Sequence, residues 1–351
     1  MAPNIKRVFY VNHVSAPIFL ELLGQRPDIQ VDKLVNDSPE EEVAPVLARA
    51  HAFQISSARQ ELARKFHGTT ALLERLPNVV VLSTTGAGFD TVNLGDCTKA
   101  GVAVVNQAGG NREGVAEHVM AMMLSLSKRL MLADHAMRRG LQVPRREFMG
   151  DDLVGRTIGI IGLGNVGSRV AELCRGLFQM RVLAYDPYLS ASVVAARGAE
   201  KVEVLDDLLR QSDYVSINCP HTAETRGMLG AREYALMQPH AYLITTARGG
   251  IHDEAALAEA LRAGRLAGAG LDVWEEEPPP TDHPLLAMDN VLVSPHIAGI
   301  TRQSRHNIAR IAAEQLLGVL DGKRPPRLLN PEVWPAYRDR FERIMGFRPE
   351  E

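Results

Sequence analysis

Three apolar runs in this sequence end in side chains that can handle a carboxylate and a proton. Arg248 follows "AYLITTA", the acids Glu275, Glu276 and Glu277 follow "LAGAGLDVW", and His296 follows "NVLVSP". An arginine offers a planar fork of donors that matches a carboxylate. A histidine paired with an acid moves protons near neutral pH, because the acid orients the ring and stabilises its charged form. Each feature alone is ordinary: an ion-pair partner, a solvated acidic loop, a helix cap. Found at three consecutive strand ends, they imply a common site.

A glycine loop supplies the context. Gly162, Leu163, Gly164, Asn165, Val166 and Gly167 read GxGxxG, directly after the strand-like "TIGII" and at the start of a helix-like run. The first glycine permits a tight turn, the second lets the backbone approach a pyrophosphate, and the third allows close helix packing. Free N–H groups at the helix start attract phosphates. The next strand, "RVLAYD", ends in Asp186, near the expected offset of about 20 residues for the acid that accepts ribose hydroxyls. A carboxylate there repels a 2′-phosphate, so the expected cofactor is NAD rather than NADP. Beside a nicotinamide, Arg248, the acid cluster and His296 suggest one chemistry. A hydride moves between the cofactor and a substrate carbon while a proton moves between His296 and the substrate oxygen, interconverting a 2-keto and a 2-hydroxy acid.

The elements around these residues alternate. "RVFYVN", "FQISSA", "VVVLSTT" and "VAVVN" read as strands in the N-terminal part, with helix-like "APIFLELLGQ" and "GTTALLERL" between them. A long apolar helix is expected from Val115 to about Met137, buried against a domain or a partner subunit. The turn-rich "LQVPRREFMGDDLVG" opens a second series of six strands, "TIGIIGLG", "RVLAYD", "YVSINC", "AYLITTA", "LAGAGLDV" and "NVLVSP", most of them linked by helix-length segments. The tail from Arg302 starts as a helix and ends in the Pro-rich "KRPPRLLNPEVWP". This is an α/β pattern of doubly wound parallel sheets with ligands beyond the carboxyl ends of the strands.

Composition excludes several classes. The chain has 351 residues, 46% hydrophobic and 23% charged, which is enough for two domains. Its net charge of -3 lacks the basic excess of a nucleic-acid binder. Cys97, Cys174 and Cys219 are far apart and without CxxC spacing, which argues against zinc or a disulfide framework and fits a reducing cytoplasm. No signal peptide or membrane-length apolar run is present, so a soluble cytoplasmic protein is expected.

The stretches "TTGAGFDTVN", "GVAEHVMAMML", "GRTIGIIGLGNVGSRVA", "YDPY", "CPHTAETRGML", "ITTARGGIHDEAAL", "GAGLDVWEEEPPP" and "NVLVSPHIAG" resemble, in order and spacing, the D-isomer-specific 2-hydroxyacid dehydrogenases. The resemblance runs along nearly the whole chain. It implies two Rossmann-like domains with the active site in the cleft between them: a discontinuous, flavodoxin-like substrate domain of residues 1–105 plus 300–351, and an NAD-binding domain of residues 106–299. It makes Arg248 the group that binds the substrate carboxylate and keto oxygen, His296 the acid/base and Glu277 its partner, chosen over its neighbours because the interval from Arg248 matches the family's. The loop "TGAGF" supplies backbone N–H groups of Ala87 and Gly88 to the carboxylate. NAD contacts are implied at Gly162, Gly164, Asn165, Val166, Gly167, Asp186, Cys219, Thr246, Ala247, Asp272, His296 and Gly299, with no metal. A homodimer through the NAD-binding domains is implied, using the apolar helix after Gly114.

The chain also departs from the family pattern. Thr245 stands where Asn is usual before "TARG", His221 stands where Leu is usual, and "GLQV" lacks a tryptophan often found after the glycine matching Gly140. These weaken transfer of substrate specificity but leave the three proposed catalytic groups intact. Glu277 argues against the family's formate dehydrogenases, which carry glutamine there, and the chain's end implies that the regulatory domain of some phosphoglycerate dehydrogenases is absent. The "TGAGF" loop adds no side-chain cation, which favours a simple monocarboxylate such as glyoxylate or hydroxypyruvate over a phosphorylated acid or phosphite. The alternative from another class is an NAD-sensing interaction protein on the same fold, as in the C-terminal-binding-protein corepressors that resemble this family.

Overall fold

In the computed structural model, which describes residues 5–350, the short apolar runs form parallel strands in two sheets. The first sheet holds β1 (Lys6–Val11), β2 (Ile29–Leu34), β3 (Ala52–Ile55), β4 (Val81–Thr84) and β5 (Ala103–Val105), in the order β2-β1-β3-β4-β5. The second holds β6 (Thr157–Ile161), β7 (Arg181–Tyr185), β8 (Glu200–Lys201), β9 (Tyr214–Ile217), β10 (Tyr242–Thr245), β11 (Gly268–Leu271) and β12 (Val291–Val293), in the order β12-β11-β10-β9-β6-β7-β8. The former is the flavodoxin-like order and the latter the dinucleotide-binding order with one strand added, so both units are doubly wound.

The chain divides into two compact units, one running to Asn111 and resuming at Thr301, the other spanning Arg112–Ile300. The first unit continues past β5 because its trailing loop is tied to that unit. Gln107 N–H donates to the Gly86 carbonyl at 2.7 Å, its side-chain amide to Ser83 Oγ at 3.0 Å, and Gln315 Nε2 to the Asn106 carbonyl at 3.1 Å.

In each unit, helices cover both faces of the sheet, which is why strands such as β3, β4 and β9 are buried at every residue, the polar Gln54, Ser83, Thr84 and Ser216 included. One face of the first sheet is closed by the helix Arg302–Leu320 through Ala309, Ala312 and Leu316, and the opposite face by Val43 and Leu47 of the helix Glu40–Arg49. In the second unit, Ala116, Val119 and Met123 of the helix Arg112–Ser127 pack on one face, while Leu257, Ala258 and Leu261 of the helix Glu254–Arg262 pack in the core of the other.

Two strands escape the sequence reading. β2, "IQVDKL", lies at the sheet edge, bonded to β1 alone, and its Asp32 and Lys33 obscure the apolar signal. β8 is only two residues long. The expected continuous helix from Val115 to Met137 is instead two helices, Arg112–Ser127 and Leu130–Arg138, with Arg129 in the left-handed region at φ 52°. The break has a cause remote in sequence: Asp151 N–H takes the Ser127 carbonyl at 2.9 Å, and Gly150 lies so close that a Cβ there would be 2.1 Å from that oxygen. The first helix is buried as expected. The second exposes Leu130, Met131 and Met137. Among the described residues no helix is long and apolar enough to cross a membrane.

One buried group conflicts with its surroundings. His252 is 1% exposed, and neither ring nitrogen has a hydrogen-bond partner among the described residues. Burial lowers its pKa to about 4, only partly opposed by Asp253. As pH falls below the ordinary value of 6.5, the unfolded chain takes up a proton that the folded chain refuses until about pH 4, so stability declines across that window. His252→Val is therefore expected to spare about 1 kcal/mol per pH unit of acidification. Urea unfolding of both proteins at about pH 7 and about pH 5 checks this. Equal losses in the two proteins would mean that His252 carries no such penalty.

Candidate active site

The implied cofactor and catalytic residues of the second unit gather beyond the carboxyl ends of its strands. Gly162 leaves β6 at φ +86°, where L side chains are strained, and a Cβ there would come within 2.7 Å of the Cys219 nitrogen. Gly167 is as constrained, since a Cβ would lie 2.1 Å from the Gly162 carbonyl. Gly164 differs: it caps the helix Asn165–Phe178 without a side chain, has open space where a Cβ would be, and is exposed together with Asn165. The loop is thus tight behind and open in front, which fits a pyrophosphate seated on the first helical N–H groups. Asp186 accepts N–H bonds from Leu163 at 3.0 Å and Tyr188 at 3.1 Å, so its carboxylate is fixed beside the glycine loop. Arg197 also bonds the Leu163 carbonyl, a tie that no spacing rule in the sequence foretells. Cys219 backs the loop, and burial pushes its thiol up to about 11, so at neutral pH it is packing rather than a nucleophile.

At the ends of β11 and β12, His296 Nδ1 meets Glu277 Oε2 at 2.8 Å. Glu275 and Glu276 are exposed, whereas Glu277 is half-buried and its other oxygen accepts the Trp274 N–H at 3.2 Å. Burial pushes the Glu277 carboxyl up, but the hydrogen bond and charge of His296, the Trp274 N–H and the charge of Arg248 outweigh it, and the net shift is downward. Glu277 is therefore a carboxylate at neutral pH and can only accept, which puts a proton on His296 Nδ1 and leaves Nε2 for a substrate.

His296 itself sits at φ 56°, a strained conformation of the kind kept where function over-determines the backbone. Asp272 supplies the constraint. Its carbonyl accepts His296 N–H at 2.7 Å, and its fully buried carboxylate accepts Ser294 Oγ at 2.6 Å and the N–H groups of Ile297 and Ala298 at 2.8 Å each. The family resemblance implies Asp272 as a cofactor contact. It does not reveal this anchoring of the His296 turn, because the contacts span more than twenty residues. His118 joins the same network through Ser294 Oγ at 3.0 Å.

Arg248 follows β10, half-buried, with Nη1 bonded to the Ala247 carbonyl at 2.7 Å. Thr246 and Ala247 lie between the strand and this arginine, Thr246 buried and Ala247 half-buried, while the Gly299 position closes the turn after His296. Ala87 and Gly88 belong to the first unit, after β4. There Asn106 Nδ2 donates to the Ala87 carbonyl at 2.8 Å, and Gly86, at φ +81°, donates its N–H to Gln107 Oε1 at 2.8 Å.

A family model described as the NAD-binding domain of D-isomer-specific 2-hydroxyacid dehydrogenases matches residues 120–298. The chain belongs to this family. It is 37% identical over 334 residues to a glyoxylate reductase of Aeropyrum pernix, covering 93% of this chain and 96% of that protein. A D-3-phosphoglycerate dehydrogenase of Archaeoglobus fulgidus is 39% identical over 277 residues, covering 79% of this chain, which spans 51% of that relative's length. Among solved structures, a D-lactate dehydrogenase of Aquifex aeolicus complexed with NAD and lactic acid matches with a TM-score of 0.75 and 30% identity, covering 90% of this chain and 96% of that one. Residues 120–298 of this D-2-hydroxyacid dehydrogenase family member thus contain the glycine loop, Arg248, Glu277 and His296 together.

Proposed function

We propose that the protein reduces a small 2-keto acid to the D-2-hydroxy acid, with Arg248 binding the carboxylate and the His296–Glu277 pair handling the proton. The 2.8 Å contact between His296 Nδ1 and Glu277 Oε2, at the strand ends that also carry Arg248, is the observation that carries this reading. NADH, when bound on the glycine loop, supplies the hydride. Arg248 holds the carboxylate by a bidentate pair and orients the keto group. His296 gives its Nε2 proton to the keto oxygen, and Glu277 holds the ring and its charge by the bond at Nδ1. Ala87 and Gly88 are further proposed as backbone donors to the carboxylate, on a loop whose Gly86 N–H and Ala87 carbonyl are held by Gln107 and Asn106. The Asp186 carboxylate favours NADH over NADPH. A monocarboxylate such as glyoxylate or hydroxypyruvate is the proposed substrate, and free Cys97, Cys174 and Cys219 suit a reducing cytoplasm.

The test is NADH absorbance in the presence of a panel of 2-keto acids, with NADPH in parallel. Consumption of NADH by a monocarboxylate, faster than that of NADPH, is expected. Silence across the panel from a protein that binds NADH would overturn the enzymatic reading and favour a sensing role.

A second copy of the chain is the proposed partner. Leu130 and Met137 are 53% and 81% exposed on the helix Leu130–Arg138 of the NAD-binding unit, apolar surface of the kind that association buries. Sedimentation velocity is expected to report twice the chain mass, and a monomer at micromolar concentration would contradict it.

A further inference from the structure

The segment that carries Glu277 contains no regular strand or helix of its own, yet it must hold a carboxylate in register with His296. Three contacts suspend it. The Trp274 N–H donates to Glu277 itself, and the Trp274 indole Nε1 donates to the Ser294 carbonyl at 3.2 Å, just before His296. The third contact comes from outside: Glu275 N–H donates to Glu254 Oε1 at 2.7 Å.

Glu254 opens the helix Glu254–Arg262, whose cap is Asp253, with the Asp253 side chain accepting from Ala256 N–H at 2.8 Å. Its other oxygen, Oε2, lies 3.1 Å from His283 Nε2. His283 Nδ1 accepts the Leu285 N–H at 3.4 Å, so Nε2 carries the proton and donates to Glu254. The same imidazole stands edge-on to the Trp274 indole, with ring centroids 5.5 Å apart. Glu254 is only 7% exposed, and burial pushes its carboxyl upward, against the Glu275 N–H and His283. Gly249 closes the arrangement from the arginine side, since a Cβ there would lie 1.9 Å from the Trp274 carbonyl. A buried carboxylate costs folding free energy unless it is bonded, and here both of its oxygens are engaged around the Glu277-bearing segment.

We infer that Glu254, oriented by His283, is a positioning residue that fixes the Trp274–Glu277 segment so that Glu277 stays bonded to His296. The inference deepens the proposed reductase reading and rests on it. Glu254 is bonded to Glu275 N–H and His283 and has no direct role in holding substrate or cofactor. Its effect passes through Glu277 alone.

The experiment compares Glu254→Leu, Glu254→Gln and His283→Leu with the wild type, alone and in a Glu277→Gln background. Leucine keeps bulk and loses both acceptors, whereas glutamine keeps an acceptor for Glu275 N–H. Glu254→Leu is expected to lower kcat about 10- to 100-fold, the scale of a misplaced catalytic group, while NADH affinity, read by fluorescence, changes less than about twofold. Glu254→Gln should recover most of that loss, and in the Glu277→Gln background Glu254→Leu should cost less than about threefold. An unchanged kcat in Glu254→Leu, or an equal loss in both backgrounds, would overturn the inference. Should Glu254→Leu fail to fold, His283→Leu carries the test, with a several-fold loss of kcat expected and wild-type kcat refuting it. A readout independent of turnover is the His296 Nδ1–H resonance in 15N-histidine-labelled protein, assigned by its loss in His296→Asn. It should broaden or vanish in Glu254→Leu, and its persistence unchanged would refute the inference. Wild-type silence on every keto acid would sink the reductase reading, whereas an active wild type matched by Glu254→Leu would sink only the positioning role.

Discussion

His296→Asn is expected to lower kcat for keto-acid reduction by about 10²- to 10⁴-fold, the contribution of a well-placed general acid. Asparagine is the informative replacement. At φ 56° most side chains add strain, but asparagine tolerates the left-handed region, so the turn anchored by Asp272 should persist. The amide can still donate to Glu277, yet it has no group that titrates near neutral pH. The loss should therefore fall mainly on turnover, with NADH affinity changed only a few-fold, since His296 is one of many implied cofactor contacts and the glycine loop and Asp186 lie at other strand ends. Steady-state kinetics together with NADH fluorescence titration separate the two. Turnover within a few-fold of wild type would remove His296 from proton transfer.

Arg248→Ala should reduce kcat/KM by about 10²- to 10³-fold, equivalent to about 3–4 kcal/mol of lost transition-state binding. Two effects add. The carboxylate loses its bidentate partner, and the keto oxygen loses a donor where negative charge develops. Arg248→Lys should restore only part, because an ammonium is a point charge without the fork. A comparison of pyruvate with pyruvamide isolates the carboxylate contact: the wild type should strongly prefer the acid and the alanine variant should lose most of that preference. Retained preference would place the carboxylate on another group.

Much of the second unit was legible because its chemistry is written locally. In a doubly wound sheet, each strand end delivers the next few residues to the same edge, so "TARGG", "DVWEEEP" and "SPHIAG" can be read as neighbours without any knowledge of side-chain contacts. The glycine loop is legible for a similar reason, since backbone geometry at Gly162 and Gly167 admits nothing larger. What stayed hidden depends on contacts between distant segments. The saturation of Asp272 by its own downstream turn, the hold of Glu254 on Glu275 N–H, and the Asp151 N–H that ends the helix at Ser127 leave no periodicity. His252 looks like any polar residue beside "DEAAL", and only the closed packing around it leaves its ring without partners among the described residues. β2 is not legible in the sequence because an edge strand carries charge where a central one cannot.

The most direct measurement of the central claim is the configuration of the product. Hydroxypyruvate and pyruvate would be reduced with NADH by the wild-type protein and by Arg248→Ala, and the 2-hydroxy acids resolved by chiral chromatography. The D isomer alone is expected from the wild type, with formation at the same enzyme concentration falling by about 10²-fold or more without the arginine. The L isomer, a racemate, or an arginine-independent rate would contradict that claim.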